Sequence, residues 1–208
     1  MMNVGQICVA VKRVYAPRSM YADLVSALTE RAKRVVLGSG LDSTTTHGPV
    51  NNQAQLDRVK GLVENAVAGG ATVAAGGGPV DGPGFFYTPT ILTDVTDDMP
   101  IVTEEQFGPA LPILPYDDLD EAVARANSTD FGLGSSVWTG DVEKGASVAR
   151  RIAAGTTWVN CHLYLMPHLP FSGVKQSGIG IENGPWGLHE FTTPHVVYRN
   201  LLPGTPWS

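Results

Sequence analysis

Cysteine, charged residues and long apolar runs are all scarce in this sequence. Its two cysteines, Cys8 and Cys161, are too few for a disulfide framework and form no C-x-x-C pair. Fourteen basic and twenty acidic residues give a net charge of −6, and without a basic patch we expect no nucleic-acid partner. No segment approaches the ~18 consecutive apolar residues of a membrane span, and Lys12 and Arg13 interrupt the N-terminal segment before it could act as a signal peptide. The sequence therefore predicts a cytoplasmic protein that does not enter a membrane.

Motifs for metal and phosphate binding are missing as well. The five histidines lack the spacing of a zinc site, so we expect no metal. The glycines at 76–78 are not followed by the Lys-Ser/Thr pair of a phosphate-binding P-loop. The Gly-x-Gly at 178–180 has no preceding strand and no third glycine in register. None of these segments therefore predicts a phosphate site.

The apolar residues, 43% of the chain, alternate between strand spacing and helix spacing. The predicted strands cover residues 9–15, 72–75, 86–93, 110–116, 132–139, 155–160 and 195–200. The predicted helices cover residues 19–35, 51–68, 118–127 and 141–154, the first with Ser19 as its N-cap. Two prolines place the 110–116 strand at a sheet edge. This alternation predicts an α/β fold, with a largely parallel sheet and helices on its faces.

The two cysteines differ in their surroundings. Cys8 lies beside the first predicted strand, and a free cysteine taken alone is more often a small buried residue than a reactive thiol. Cys161 and His162 continue the strand 155–160, where neighbouring side chains point to opposite faces. We therefore expect Cys161 to be buried and His162 to be non-catalytic.

Five segments, in a fixed order along the chain, change the interpretation of Cys8. They are Gly5-Gln6-x-Cys8-x-Ala10-x-x-Arg13, Gly48-Pro49 with Gln55, Glu105-Gln106-Phe107-Gly108-Pro109, Gly155-Thr156-x-Trp158-Val159-Asn160, and the run PFSGVKQSG at 170–178. Together they resemble the C-terminal catalytic part of the aldehyde dehydrogenase superfamily, with Ser172 in place of a usual glycine. The resemblance covers residues 2–200 and favours Cys8 as the reactive residue.

The resemblance implies the oxidation of a small-molecule aldehyde to a carboxylic acid with NAD or NADP. The Cys8 thiolate would attack the carbonyl to give a thiohemiacetal, which becomes a thioester and is then hydrolysed. The backbone N–H of Cys8 would form part of the oxyanion hole. Glu105 would hold the nicotinamide ribose, Phe107 would pack beside the nicotinamide ring, and Gln55 would lie near the same ribose.

The resemblance also implies where the aldehyde binds. Phe171, Leu163 and Leu165 match the family's loop along the aldehyde pocket, and Ile7 and Val9 flank Cys8. These side chains predict a mainly apolar tunnel. For the two leucines, ordinary core packing is an equal alternative.

The resemblance begins at the nucleophile, so we expect residues 1–194 to form a catalytic domain without the family's N-terminal cofactor domain. Binding of NAD(P) should then be weak. Residues 195–208 would be an oligomerisation strand and tail, with Val196, Val197 and Tyr198 pairing with a neighbouring subunit.

Three functions stay open. The chain could be a catalytic domain, active when another chain supplies the cofactor domain. It could be a truncated, non-enzymatic fragment that associates with full-length homologues, or a thiol esterase that works without NAD.

Overall fold

A four-stranded mixed sheet lies at the centre of the protein, whose computed structural model describes residues 1–201 and 204. The strands are β1 (Val14–Pro17), β2 (Thr72–Ala75), β3 (Thr90–Thr93) and β4 (Ala110–Tyr116), in the order β1-β4-β3-β2. β4 runs parallel to both β1 and β3, and β2 runs antiparallel to β3. The prediction of an α/β fold is thus confirmed, with β2 as the antiparallel exception in this sheet.

β4 is an inner strand, so its predicted place at the sheet edge was wrong. Ile113 pairs with Val14 of β1, and Leu111 pairs with Ile91 of β3. Each proline in β4 removes one N–H donor from the ladder. β1 pairs with residues 113–116 of β4 and β3 pairs with residues 110–112, and Ile113 and Leu114 between the prolines are fully buried.

The first strand is shorter than predicted, because residues 7–10 form a turn instead of extended chain. The N–H of Ala10 donates to the carbonyl oxygen of Ile7 at 3.0 Å. A 3-10 helix, Met2–Gly5, precedes this turn. The chain becomes a strand only at Val14, which sets the segment around Cys8 off the end of the sheet.

Two long helices cover the two faces of the central sheet. They are α1 (Arg18–Lys33) and α2 (Gln53–Ala68), and the short α3 (Pro100–Thr103) packs beside α2. The Asn52 side chain caps α2 by accepting the N–H of Gln55 at 2.9 Å. On α2, Leu62 and Ala66 are buried, whereas Val67 is exposed. α1 starts at Arg18, so Ser19 lies inside the helix and is not its cap.

Each helix closes its own hydrophobic cluster. On the α2 face, the buried residues include Val59, Val63, Tyr87, Leu92, Ile101 and Leu114. On the α1 face, Leu24 and Leu28 pack against Ile91 and Ile113. Strand residues of alternate parity therefore supply the two clusters, as a sheet covered on both faces requires.

The rest of the chain forms smaller units beside the central sheet. They are α4 (Leu119–Asn127), β5 (Phe131–Gly132), β6 (Gly134–Val137), α5 (Val142–Ala149), β7 (Thr156–Val159), β8 (Phe171–Ser172), β9 (Val174–Lys175), β10 (Ile181–Glu182) and α6 (Gly184–His189). The single strand predicted over 132–139 is in fact two, because β5 pairs antiparallel with β9 whereas β6 pairs parallel with β7. α5 ends five residues earlier than predicted.

The predicted strand at 195–200 was wrong for the single chain. These residues form no strand, and Val196, Val197 and Tyr198 are exposed. Their pairing with a neighbouring subunit stays a prediction, as does the domain boundary after residue 194. Part of the predicted tail, residues 202, 203 and 205–208, lies outside the described residues. Within the described ranges, no helix is long and apolar enough to span a membrane.

Candidate functional site

Cys8 lies on an exposed turn between the 3-10 helix and β1. We call residues 5–12 the Cys8 turn. Val9 is buried and its side chain lies close to Gly134 and Trp158, so it anchors the turn from below. Ile7 is half-buried. Cys8 is therefore exposed on a turn whose next residue, Val9, is packed in the interior.

Residues 104–109, which we call the 104–109 loop, carry Glu105 and Phe107. The buried Gln106 donates through Nε2 to the carbonyl oxygens of Lys12, at 2.8 Å, and Ala110, at 3.0 Å. Gln55 donates through Nε2 to the carbonyl oxygens of Gln106, at 2.7 Å, and Phe107, at 2.8 Å. Phe107 has a positive φ of 46°, which this pair of amide contacts supports. In this structure, Gln55 braces the loop that holds Phe107.

The Cys8 turn and the 104–109 loop are packed together at two places. Gly5 has φ +75°, and a Cβ added there would collide with the carbonyl group of Gly108, so only glycine permits this approach. The ammonium group of Lys12 donates to the carbonyl oxygen of Gly5 at 3.2 Å and lies 4.7 Å from the centre of the Phe107 ring. The turn that carries Cys8 and the loop that carries Glu105 and Phe107 consequently lie side by side.

The charges of this surface are arranged around Lys12. Burial lowers the pKa of Lys12, while the negative charges of Glu105 and Cys8 act in the opposite direction. Arg58 donates to the main-chain carbonyl oxygen of Glu105 at 2.8 and 3.0 Å and pairs with the Glu104 carboxylate at 3.3 Å. The main chain at Glu105 is thereby fixed.

A third segment, residues 161–169, reaches the Cys8 turn through His162. The Nε2 atom of His162 lies 2.7 Å from the carbonyl oxygen of Val9, and a carbonyl acceptor requires that Nε2 bear the proton. Its Nδ1 is buried and has no hydrogen-bond partner among the described residues. The imidazole stands edge-on to Trp158 at 5.0 Å, and Trp158 in turn donates to the carbonyl oxygen of Tyr164 at 2.9 Å.

The prediction that Cys161 is buried was wrong, because Cys161 is exposed. β7 ends at Val159, and Asn160 has a positive φ of 56°. The alternation of side chains along a strand therefore stops before Cys161.

The residues predicted to line the aldehyde pocket lie in several segments, and only some of these segments contact the Cys8 turn. Leu163 is half-buried with φ +64°, and Leu165 is exposed, both in the segment that His162 ties to the Cys8 turn. Phe171 is half-buried and pairs with Glu182 across β8 and β10. Val9 contributes to the core. The role of these side chains in an apolar tunnel stays a prediction.

Two clefts of the structure lie away from Cys8. One, of about 200 Å³, is lined by Tyr15, Asp97, Val102, Thr103, Ser128, Thr129 and Asp130. The other, of about 440 Å³, is lined by residues 1–4 and 46–49. No group of three potential ligands among the described residues could hold a metal ion.

Sequence reasoning missed Lys12, Gln106 and His162. Lys12 and Gln106 stand inside two of the recognised motifs, but only their folded positions show that they join those motifs. His162 was set aside on a strand argument that does not apply to it, since β7 ends three residues earlier.

Comparison with protein families gives a match over almost the whole chain. A model of the aldehyde dehydrogenase family matches residues 1–197. Betaine aldehyde dehydrogenase of Brucella anthropi is 43% identical over 203 residues, which are 96% of this chain and 42% of that protein. Aldehyde dehydrogenase, cytosolic 2 of Macroscelides proboscideus is 42% identical over 197 residues, which are 95% of this chain and 82% of that protein.

Solved structures give the same result. An aldehyde dehydrogenase from Bacillus cereus in complex with NAD+ superimposes with a TM-score of 0.94 at 42% identity, over 97% of this chain and 41% of that one. Betaine aldehyde dehydrogenase from Staphylococcus aureus in complex with NAD+ has a TM-score of 0.87 at 35% identity, over 91% and 38%. The chain thus spans about 40% of the length of the Brucella protein and of both solved structures.

Proposed function

The chain belongs to the aldehyde dehydrogenase family, and from this premise we propose that it supplies the nucleophile and the nicotinamide-facing surface for NAD-dependent oxidation of an aldehyde to a carboxylic acid. One observation carries the proposal. The exposed Cys8 shares a surface with Glu105 and Phe107, and Lys12 spans the two loops at 3.2 Å from Gly5 and 4.7 Å from the Phe107 ring.

Cys8 acts first in the proposed reaction. Its thiolate adds to the carbonyl carbon, a C–S bond forms, and the carbonyl oxygen becomes an alkoxide that the backbone N–H of Cys8 helps to stabilise. When bound, NAD+ would supply the hydride acceptor for oxidation of the thiohemiacetal to a thioester, and Glu105 and Phe107 would hold its nicotinamide end. Water then cleaves the C–S bond, which releases the acid and returns the thiol of Cys8.

The residues present fit the nicotinamide end of the cofactor. Phe107 offers an aromatic face in a backbone conformation held by Gln55, and the half-buried Glu105 offers two acceptor oxygens for ribose hydroxyls. The NAD+ complexes of similar proteins support NAD, with NADP as the alternative.

The pyrophosphate end of the cofactor is expected to lack a matching site. Within the described residues, no Gly-rich turn leads from a strand into a helix N-terminus. We therefore propose that the 208 residues alone bind NAD+ weakly. Calorimetric titration should give no low-micromolar affinity, and a low-micromolar Kd would contradict this part of the proposal.

Association with another chain is proposed from the C-terminal residues. Val196, Val197 and Tyr198 are exposed apolar side chains that pair with nothing in the described chain, and uncovered extended segments tend to pair with a neighbour. The partner would be a second copy or a homologous chain that supplies a cofactor domain. The cytosolic aldehyde dehydrogenases among its relatives support a cytoplasmic location.

The decisive experiment compares the two cysteines in a context that can bind NAD+. The chain is joined to the preceding part of the Brucella anthropi enzyme, and NADH formation is followed with a panel of aldehydes. Cys8→Ala should abolish turnover, whereas Cys161→Ala, which removes the other exposed cysteine, should retain it. Equal loss in both variants, or turnover by Cys8→Ala, would refute the assignment.

The same proteins separate the two alternatives. Hydrolysis of an activated ester by the 208-residue chain without NAD+, lost in Cys8→Ala, would favour a thiol esterase. If neither the isolated chain nor the fusion shows turnover, and the chain co-purifies with a full-length homologue, a non-enzymatic fragment is favoured. The exposed C-terminal residues would then form the contact.

A further inference from the structure

We propose that Lys12 is a positioning residue that places a positive charge beside Cys8 and holds the Cys8 turn against the Phe107 ring. The inference rests on the proposed role of Cys8 as nucleophile. Lys12 lies four residues after Cys8 in the sequence, within the motif but at a position to which the motif assigns no role.

The geometry brings the Lys12 ammonium group back across the turn. Its Nζ donates to the carbonyl oxygen of Gly5, three residues before Cys8, at 3.2 Å. The same atom stands 4.7 Å from the centre of the Phe107 ring, within the range of a cation–π contact. The Lys12 side chain thus contacts both the start of the Cys8 turn and the 104–109 loop.

The main chain of Lys12 is fixed independently of its side chain. Its carbonyl oxygen accepts the Nε2–H of the buried Gln106 at 2.8 Å. A substitution at the end of the Lys12 side chain therefore leaves this backbone contact in place. The charge of Lys12 can therefore be removed while the hydrogen bond between Gln106 and the Lys12 carbonyl oxygen is kept.

Other cations near the turn are directed elsewhere. Arg13 donates to the carbonyl oxygens of Val102 and Ala126 and to Thr129. Arg58 pairs with Glu104 and with the main chain of Glu105. Among these three cations, Lys12 is the one placed between the thiol side and the Phe107 side of the surface.

The partial burial of Lys12 should strengthen the interaction of its charge with groups near Cys8. The side chain is half-buried, and burial lowers its pKa, while the negative charges of Glu105 and Cys8 oppose that change. An interaction between charges is stronger in such surroundings than at a fully hydrated surface. A fixed cation there should attract an anionic reagent toward the Cys8 sulfur in a chain that is otherwise acidic, with a net charge of −6.

Two alkylating reagents that differ in charge test the effect of the Lys12 ammonium group on Cys8. Iodoacetate is an anion and iodoacetamide is neutral, and mass spectrometry gives the rate constant of each at Cys8 and at Cys161 in the same molecule. The ratio of the iodoacetate rate to the iodoacetamide rate is taken at each cysteine. The exposed Cys161 is the internal reference for the net charge of the chain.

In the wild-type chain we expect this ratio to be higher at Cys8 than at Cys161. Lys12→Met keeps an unbranched apolar stem and removes the charge, and it should lower the ratio at Cys8 by about fivefold with a smaller change at Cys161. Lys12→Arg keeps the charge and should keep the ratio. High salt should bring the wild-type ratio at Cys8 toward that of Lys12→Met.

An unchanged ratio in a folded Lys12→Met, checked by circular dichroism, would overturn the proposal. If Lys12→Met does not fold, the salt series on the wild-type chain decides, and a ratio at Cys8 that is independent of salt would overturn it. These readouts need neither NAD+ nor turnover. Turnover by Cys8→Ala would remove the proposed function while leaving the charge measured, and a failed charge test would remove only the role of Lys12.

Discussion

The Cys8 turn is attached to two regions of the molecule that are built in opposite ways. The central region, residues 14–33 and 50–123, buries large side chains on both faces of its sheet. In the C-terminal region, residues 160–201, Gly187 is the one buried residue among those described, and its longest strand has two residues. Exposed there are Tyr164, Leu165, Leu169, Val174, Ile179, Trp186, Leu188, Phe191, Val196, Val197, Tyr198 and Leu201.

The two regions therefore contribute differently to the candidate site around Cys8. The central region has its own core, so it can hold Glu105, Phe107 and the Cys8 turn without help. The C-terminal region has main-chain hydrogen bonds and turns, but its described residues bury little apolar surface. The chemistry proposed for Cys8 is therefore supported mainly by the central region.

The largest expected effect compares one leucine in each region. Leu114 has 0% exposure and Leu188 has 65%. Leu114→Ala should lower the free energy of unfolding by about 3 kcal/mol, because it removes buried methyl groups and leaves a cavity. Leu188→Ala should change it by less than about 0.5 kcal/mol. Urea denaturation measures both, and equal losses would mean that the two regions share one core.

The attachment of the Cys8 turn to the central region can be broken at Gly5. Gly5→Ala places a Cβ against the Gly108 carbonyl at φ +75°, and strain of this kind should cost about 2 kcal/mol. Gly40→Ala is the matched control, since an added Cβ there meets open space. Thermal unfolding and the alkylation rate of Cys8 are the measurements. A Gly5→Ala protein as stable as Gly40→Ala would show that the contact with Gly108 can relax.

The attachment to the C-terminal region can be broken at His162. His162→Phe keeps a ring beside Trp158 but removes the donor to the Val9 carbonyl, which should cost about 1 kcal/mol. His168→Phe, at an exposed histidine of the same segment, should have no measurable effect. We expect Cys8 alkylation to change in the first variant alone. The same change in both variants would indicate a general effect of the segment.

The central region was also the more predictable one from sequence. The helix α2 and the strand β4 were found within a few residues, because an amphipathic helix and a buried strand both carry a clear apolar pattern. β2 was found as well, although Thr72 and Val73 are exposed. In the C-terminal region, two-residue strands leave no period to detect. The extended run predicted at 195–200 had the composition of a strand but pairs with no strand among the described residues.

Two errors came from rules applied outside their conditions. Prolines in β4 suggested an edge, yet β3 pairs with the first half of β4 and β1 pairs with its second half, so the strand has a neighbour on each side. Strand alternation was extended to Cys161, two residues beyond the end of β7.

The candidate site followed a similar division. Motif order predicted that Cys8, Glu105 and Phe107 serve one site, and their roles stay a prediction. The links through Lys12, Gln106 and His162 depend on long-range contacts that no spacing in the sequence reveals.

A pH dependence is expected from the central region alone. Burial, reinforced by the nearby negative charge of Glu64, raises the pKa of Tyr87 from 10.0 to about 12. Between these values, the unfolded chain has lost the Tyr87 proton and the folded chain retains it, so the unfolded state binds fewer protons and stability falls as the pH rises. Below pH 10 the contribution of Tyr87 is fully present. Tyr87→Phe should therefore flatten the alkaline loss of stability in urea titrations from pH 9 to 12, whereas Tyr198→Phe, at an exposed C-terminal tyrosine, should follow the wild-type curve. If both variants follow the wild-type curve, the alkaline response belongs to other groups and this mark of the central core is absent.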